Sequence, residues 1–337
     1  MARLIAWPIL AIAVMAVTPG DPPDPAPDPD VVELTAVQVH EDLLASRYTV
    51  TELTRAFLDR IARYEDHYNA FISMNPEVMQ IAAALDAERA TTGPRGPLHG
   101  VPVVIKDNLD YGGLVTTAGF DGFSAATGGV DMVPGDDAVV VERLRAAGAI
   151  ILGKTNMPDF AGHGTRTRSS VAGETLNPYA VDRVPGGSSG GTATAVNASF
   201  AVLGLGATED RRVDPEPPAA AQRWWGQAHI RPSSPLRRGP SPPIGTATRA
   251  DPRRAAFAPD VVGPLARTVR DAALTLDVIA GPSPEDFASY AGADHIPEQG
   301  FAAGLTTTAL AGKRFGLVGA GWRTSFLPLA PETDALY

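Results

Sequence analysis

The chain has 337 residues, of which 44% are hydrophobic and 20% charged, with a formal charge of −10. That length exceeds one minimal domain, and the composition excludes a wholly disordered or fibrous protein and a global basic field for nucleic acid. Cysteine is absent, which excludes disulfides, thiolate nucleophiles and cysteine zinc sites together.

Residues 1–18 carry one early arginine, Arg3, and then an apolar run that closes in small residues. They read as a secretory signal peptide rather than a stable membrane span, because the run is short and Pro8 interrupts it. The expected location is therefore the cell envelope or outside it, with the cytoplasm as the alternative. Residues 19–32 alternate proline with acid and read as an extended linker. The domain proper is expected over 33–337 and incomplete at its C-terminal end.

Thr35 stands before AVQVHEDLLAS and Thr51 before ELTRAFLDRIARYEDHY, where Leu53, Phe57 and Ile61 recur at helical spacing. Two capped amphipathic helices are predicted, and a third from Pro76 through VMQIAAALDAERA. The period then changes: Val101 to Ile105 is a continuous apolar, β-branched run of the kind that forms a buried strand. Lys106 closes that run. A lysine there is costly unless it is paired, neutral or able to snorkel to water, so its amine is a candidate for a lowered pKa. The helical stretch DDAVVVERLRAAGA feeds a second apolar run, AIILGKT, and this strand, helix, strand succession predicts a mostly parallel sheet. Lys154 ends the second strand and reads as structural, since Thr155 and Asn156 follow as turn and cap residues.

The stretch NPYAVDRVPGGSSGGT is the most informative part of the chain. Gly186, Gly187, Gly190 and Gly191 bracket Ser188 and Ser189 ahead of a small-residue helix, so the backbone there is free to bring amide groups close to a ligand. The loop lacks the spacing and the lysine of a phosphate cradle, and its flanks are too apolar for a flexible linker.

Taken with GPLHGVPVVIKDN, GKTNMPDFA and VGPLARTVRDAALTLDVIAG, this loop makes the chain resemble the amidase signature enzymes over roughly residues 33–206 and 259–281. The resemblance implies an α/β fold with a mixed twisted β-sheet sandwiched between α-helices. It implies hydrolysis of a carbon-nitrogen amide bond by a Ser-Ser-Lys triad, with Lys106 as general base and Ser188 as the bridging serine after a cis peptide bond. Gly187, Ser189 and Ser170 are the substrate-contact candidates. No metal or other cofactor is implied, and the six histidines are scattered. The expected partner is a small-molecule amide, the pocket loop 112–136 names no particular substrate, and the oligomeric state is open.

The resemblance breaks after GATED. Where the family has a GTDxGGS-like turn with the attacking serine, this chain reads RRVDPEPP. From Arg211 to Arg254 there are nine arginines, nine prolines and no lysine, without helical or strand periodicity, so the stretch 210–254 is expected to be disordered. A single-strand nucleic-acid patch is disfavoured because the prolines leave no scaffold for it. The segment replaces family residues rather than adding to them, which points to translation out of frame from 210 to about 243. With GC-rich codons, DRRVDP is GAC CGG CGG GTC GAT CCT; dropping one base gives ACC GGC GGG TCG ATC CTG, or TGGSIL. Three readings follow: an amidase-type hydrolase, inactive as written because the nucleophile is lost; the glutaminase-type component of a tRNA-dependent amidotransferase, which works with partner subunits; and a non-catalytic frameshifted fragment.

Overall fold

The structure, a computed structural model, describes residues 29–209, 260–284 and 287–314. The expected signal peptide, most of the expected linker, the arginine- and proline-rich stretch and the residues after Arg314 lie outside the described residues.

Helix α1 (Ala36–Leu44) begins at Thr35 in a capping box with Gln38, as its sequence predicts. Helix α2 (Val50–Tyr68) begins two residues earlier than predicted. Its N-cap is Thr49, whose hydroxyl accepts from Glu52 N while Glu52 takes the Thr49 amide. Thr51 lies instead in the first turn, where Asp86 accepts from its amide and from Val50 N. That carboxylate supplies both hydrogen bonds and a charge suited to the helix dipole. A short strand that periodicity does not announce, β1 (Phe71–Met74), precedes α3 (Val78–Thr92). Next come β2 (Pro102–Lys106), α4 (Val139–Ala146) and β3 (Ile150–Thr155). A two-stranded ribbon of β4 (Arg168–Ser169) and β5 (Gly173–Glu174) leads to α5 (Gly190–Asn197), and β6 (Leu203–Glu209), β7 (Asp260–Ala266) and α6 (Val269–Ile279) follow.

The main sheet runs β1-β3-β2-β6-β7. Its three inner strands are parallel and both edges antiparallel, which makes it a mixed sheet. Parallel strands in the middle explain why β2 and β3 read as continuous apolar runs: every residue of both is buried. Helix α5 crosses the sheet closely, because a side chain on Gly204 would strike the Thr192 methyl group. The main core cluster joins the helices to the sheet, with Phe57, Leu98, Ile105, Leu144 and Phe200 fully enclosed, and a small second cluster holds Ala118, Met157 and Ala161. Burying a ring such as Phe57 contributes about 1.5–3 kcal/mol. Among the described residues no helix is long and apolar enough to cross a membrane.

This topology brings the carboxyl ends of β2, β3 and β6 to one edge, where parallel α/β sheets bind ligands. Register decides what each strand end presents. Ile105 pairs with Lys154, and Lys106 with Thr155. Successive side chains alternate across a sheet, so the one-residue offset sends the two strand-end lysines to opposite faces.

Candidate active site

Lys106 has no solvent exposure at all, so it does not snorkel. Its Nζ lies 2.6 Å from Ser188 Oγ and 2.9 Å from the carbonyl oxygen of Ala207 on β6. The structure thus brings together two residues that are 82 positions apart in the chain. The peptide bond between Gly187 and Ser188 is cis.

The serine loop is held from several sides. Thr167 donates its hydroxyl to Gly186 O at 2.7 Å and accepts from Gly190 N at 3.1 Å. Gly191 N donates to Asn156 O, and the Thr155 and Thr192 hydroxyls meet at 2.6 Å. Two glycines are needed for close approach rather than for turning. A Cβ on Gly187 would stand 2.6 Å from His163 O, and one on Gly191 would overlap Asn156 O. Ser189 donates to Ala207 O at 2.9 Å and accepts from Ala207 N at 3.2 Å, so it binds both backbone groups of one residue. The Ala207 carbonyl therefore receives both Lys106 and Ser189.

Ser170 is exposed and engaged elsewhere. Its hydroxyl accepts from Asp121 N and reaches Gly119 O, and its amide donates to Asp159 Oδ1. It ties the loop after β2 to the loop after β3. Its neighbour Ser169 is buried and accepts from Ala172 N.

On the opposite face of the sheet, Lys154 is equally buried and forms an ion pair with Asp107 Oδ1 at 3.2 Å. Its Nζ also contacts the Thr116 hydroxyl and Val115 O. Asp107 Oδ2 accepts from Thr117 N, the Thr117 hydroxyl and Gly119 N. Asp110 completes the cluster. Burial pushes its carboxyl up to about 6, against the pull of Lys154 and a Thr116 hydrogen bond, with repulsion from Asp107 adding to the rise. Motif and spacing assign no role to Asp107 or Asp110. A clue does exist in the sequence, because a strand-end lysine in each of two adjacent buried strands is costly unless it is neutral or meets an anion.

Residues 52–209 match the family model described as Amidase. Curated relatives at 36% and 38% identity, covering 86% and 71% of this chain, are the glutamyl-tRNA(Gln) amidotransferase A-subunits of Salinispora arenicola and Thermus thermophilus. The chain belongs to the amidase family over residues 52–209. Solved structures agree with this membership. The peptide amidase of Stenotrophomonas maltophilia superimposes with a TM-score of 0.59 at 32% identity, over 79% of this chain and 51% of that one. The structure of PAM12A superimposes with a TM-score of 0.67 at 32% identity, over 89% and 57%. A 6-aminohexanoate cyclic dimer hydrolase matches at 27% identity and a TM-score of 0.58, over 77% and 48%. The chain spans about half the length of the curated relatives it matches, 54% and 44% for the two named here. The matched residues contain both Lys106 and Ser188 and end at Glu209, directly before the arginine- and proline-rich stretch.

Proposed function

We propose that Lys106 and Ser188 are the base and the relay of an amide-hydrolysing site, and that this chain lacks the hydroxyl that would attack. The observation that carries the reading is the 2.6 Å contact between a fully buried amine and a buried hydroxyl. A neutral lysine takes the Ser188 proton, and Ser188 takes one from a third hydroxyl as that oxygen adds to the amide carbonyl. The proton held by Lys106 then passes to the departing amine, and water releases the acyl group by the same relay. Backbone amides beside the nucleophile would hold the oxyanion, a contribution of about 3–4 kcal/mol per donor. The third hydroxyl belongs after β6, in residues 210–214, which read DRRVD here.

The end of the family match at Glu209 supports a reading-frame change at that point. Sequencing the DNA tests it: codons that yield TGGSI one base out of phase are expected, and codons that cannot do so overturn it. The chain as written is expected to release no ammonia from any amide, and a serine-directed fluorophosphonate to leave it unlabelled. Labelling of a serine overturns the proposed inactivity.

For the in-frame protein, the named relatives favour a glutaminase-type component that works with partner subunits. Release of ammonia from glutamine, with co-purification of partner subunits, is the expected result. The likeness to the peptide amidase of Stenotrophomonas maltophilia and the leader-like N-terminus favour the second reading, an exported amidase that acts alone on a small amide. Cleavage of the leader in a secretion assay supports that second reading.

A further inference from the structure

We infer that Asp107 and Lys154 are positioning residues for Lys106: Lys154 cancels the charge of Asp107 on one face of the sheet, and so leaves Lys106 able to accept a proton on the other. The inference rests on the Lys106 and Ser188 reading above.

The geometry begins with chain order. Asp107 follows Lys106 directly, and its amide continues the ladder by donating to Thr155 O. The pleat therefore carries past the strand end and turns the Asp107 side chain towards the face of Ile105 and Lys154. There its carboxylate is held at both oxygens, Oδ2 by Thr117 and Gly119 and Oδ1 by the Lys154 ion pair. Both partners have no side-chain exposure. Oδ1 has no hydrogen-bond partner among the described residues, so Lys154 meets it by charge rather than by an aligned hydrogen bond.

Charges in such an interior act over longer distances than in water. A bare carboxylate one residue from Lys106 would hold a proton on its amine, and an ammonium cannot act as a base. Paired with Lys154, the carboxylate presents a dipole instead. Among the described residues a further charged group of this cluster is Asp110, on the turn after β2, which faces Lys154 and Asp107. From β6 and the serine loop, Lys106 is met by the Ala207 carbonyl and the Ser188 hydroxyl.

The chain permits a direct test, because it holds only three lysines, Lys106, Lys154 and Lys313, and the last is exposed and serves as a reference. The full chain, labelled with 13C at the lysine Cε, gives each amine its own NMR titration. K154M strips Asp107 of its partner, and the Lys106 midpoint is expected to rise by about one pH unit or more. D107N leaves Lys154 uncompensated, and the midpoint is expected to fall. The double variant D107N/K154M is expected to return it to the parent value. A role confined to packing would not move the midpoint in opposite directions for the two halves of one pair. Shifts of the same sign, or none, overturn the inference. If the single variants do not fold, T117V decides: it loosens Asp107 without removing charge, a smaller rise is expected, and an unmoved Lys106 signal overturns the inference. S188A separates the underlying reading. If Lys106 ignores the loss of that hydroxyl, the base and relay reading fails, whatever the charge variants do.

Discussion

The carboxyl ends of β2 and β3 lie side by side, and each carries a fully buried lysine, Lys106 as the last residue of β2 and Lys154 one before the last of β3. At the end of β2, Lys106 meets a serine hydroxyl, which can exchange a proton with it. At the end of β3, Lys154 meets a carboxylate locked by backbone and threonine donors, which makes a fixed charge pair. The same residue type at neighbouring strand ends is thus suited to chemistry in one place and to architecture in the other. The difference arises from one residue of register, which sends the two side chains to opposite faces.

Substitution should separate these roles. The largest effect is expected in the proposed in-frame counterpart of the protein, where K106M should lower the proposed amide hydrolysis by about 10²- to 10⁴-fold, measured as ammonia release. The fold should survive, since the Ala207 carbonyl keeps Ser189 as a donor, and a cost of about 1 kcal/mol is expected in urea unfolding. K154M should cost the fold far more. It leaves Asp107 as a buried anion without its countercharge and should destabilise the chain by about 3–5 kcal/mol in the same measurement.

Asp110 sharpens the comparison through pH. Its folded pKa of about 6 lies above the ordinary value of 3.8, so the folded state favours the protonated form. That contribution is fully present below about pH 4 and is lost as pH rises through about 6. D110N should therefore match the parent near pH 4 and exceed it by about 2–3 kcal/mol at pH 8, read from urea midpoints across that range. Glu65, pushed up to about 7 by burial against two lowering backbone hydrogen bonds, gives a stability loss of the same sign at slightly higher pH. The smallest effect is expected at the contact that joins the two strand ends to α5. T192V removes one partner of the Thr155 hydroxyl, leaves it Ile105 O, and should cost about 1 kcal/mol in urea unfolding.

Several features are legible locally. The capped helices, the buried strands ending in lysine and the serine loop carry short-range signals of period, composition and spacing. The N-cap of α2 is easily misplaced because Thr51 also precedes apolar residues at helical spacing. The spacing of Thr49 to Glu52 is the better signal, and Asp86, a distant residue, reinforces it. Strand β1 has four residues, three of them half-buried, too few to show a period, and it becomes a strand by pairing with β3. Ser170 is placed by the loops it joins, which spacing alone does not describe.

By itself the sequence determined which residue types stand at the strand ends and in the serine loop, because periodicity and small-residue spacing are properties of the local chain. Only the tertiary structure decided which lysine meets a hydroxyl and which a carboxylate. That choice depends on strand register and on contacts between residues far apart in the chain, and a buried amine takes its chemical role from the groups that replace its water.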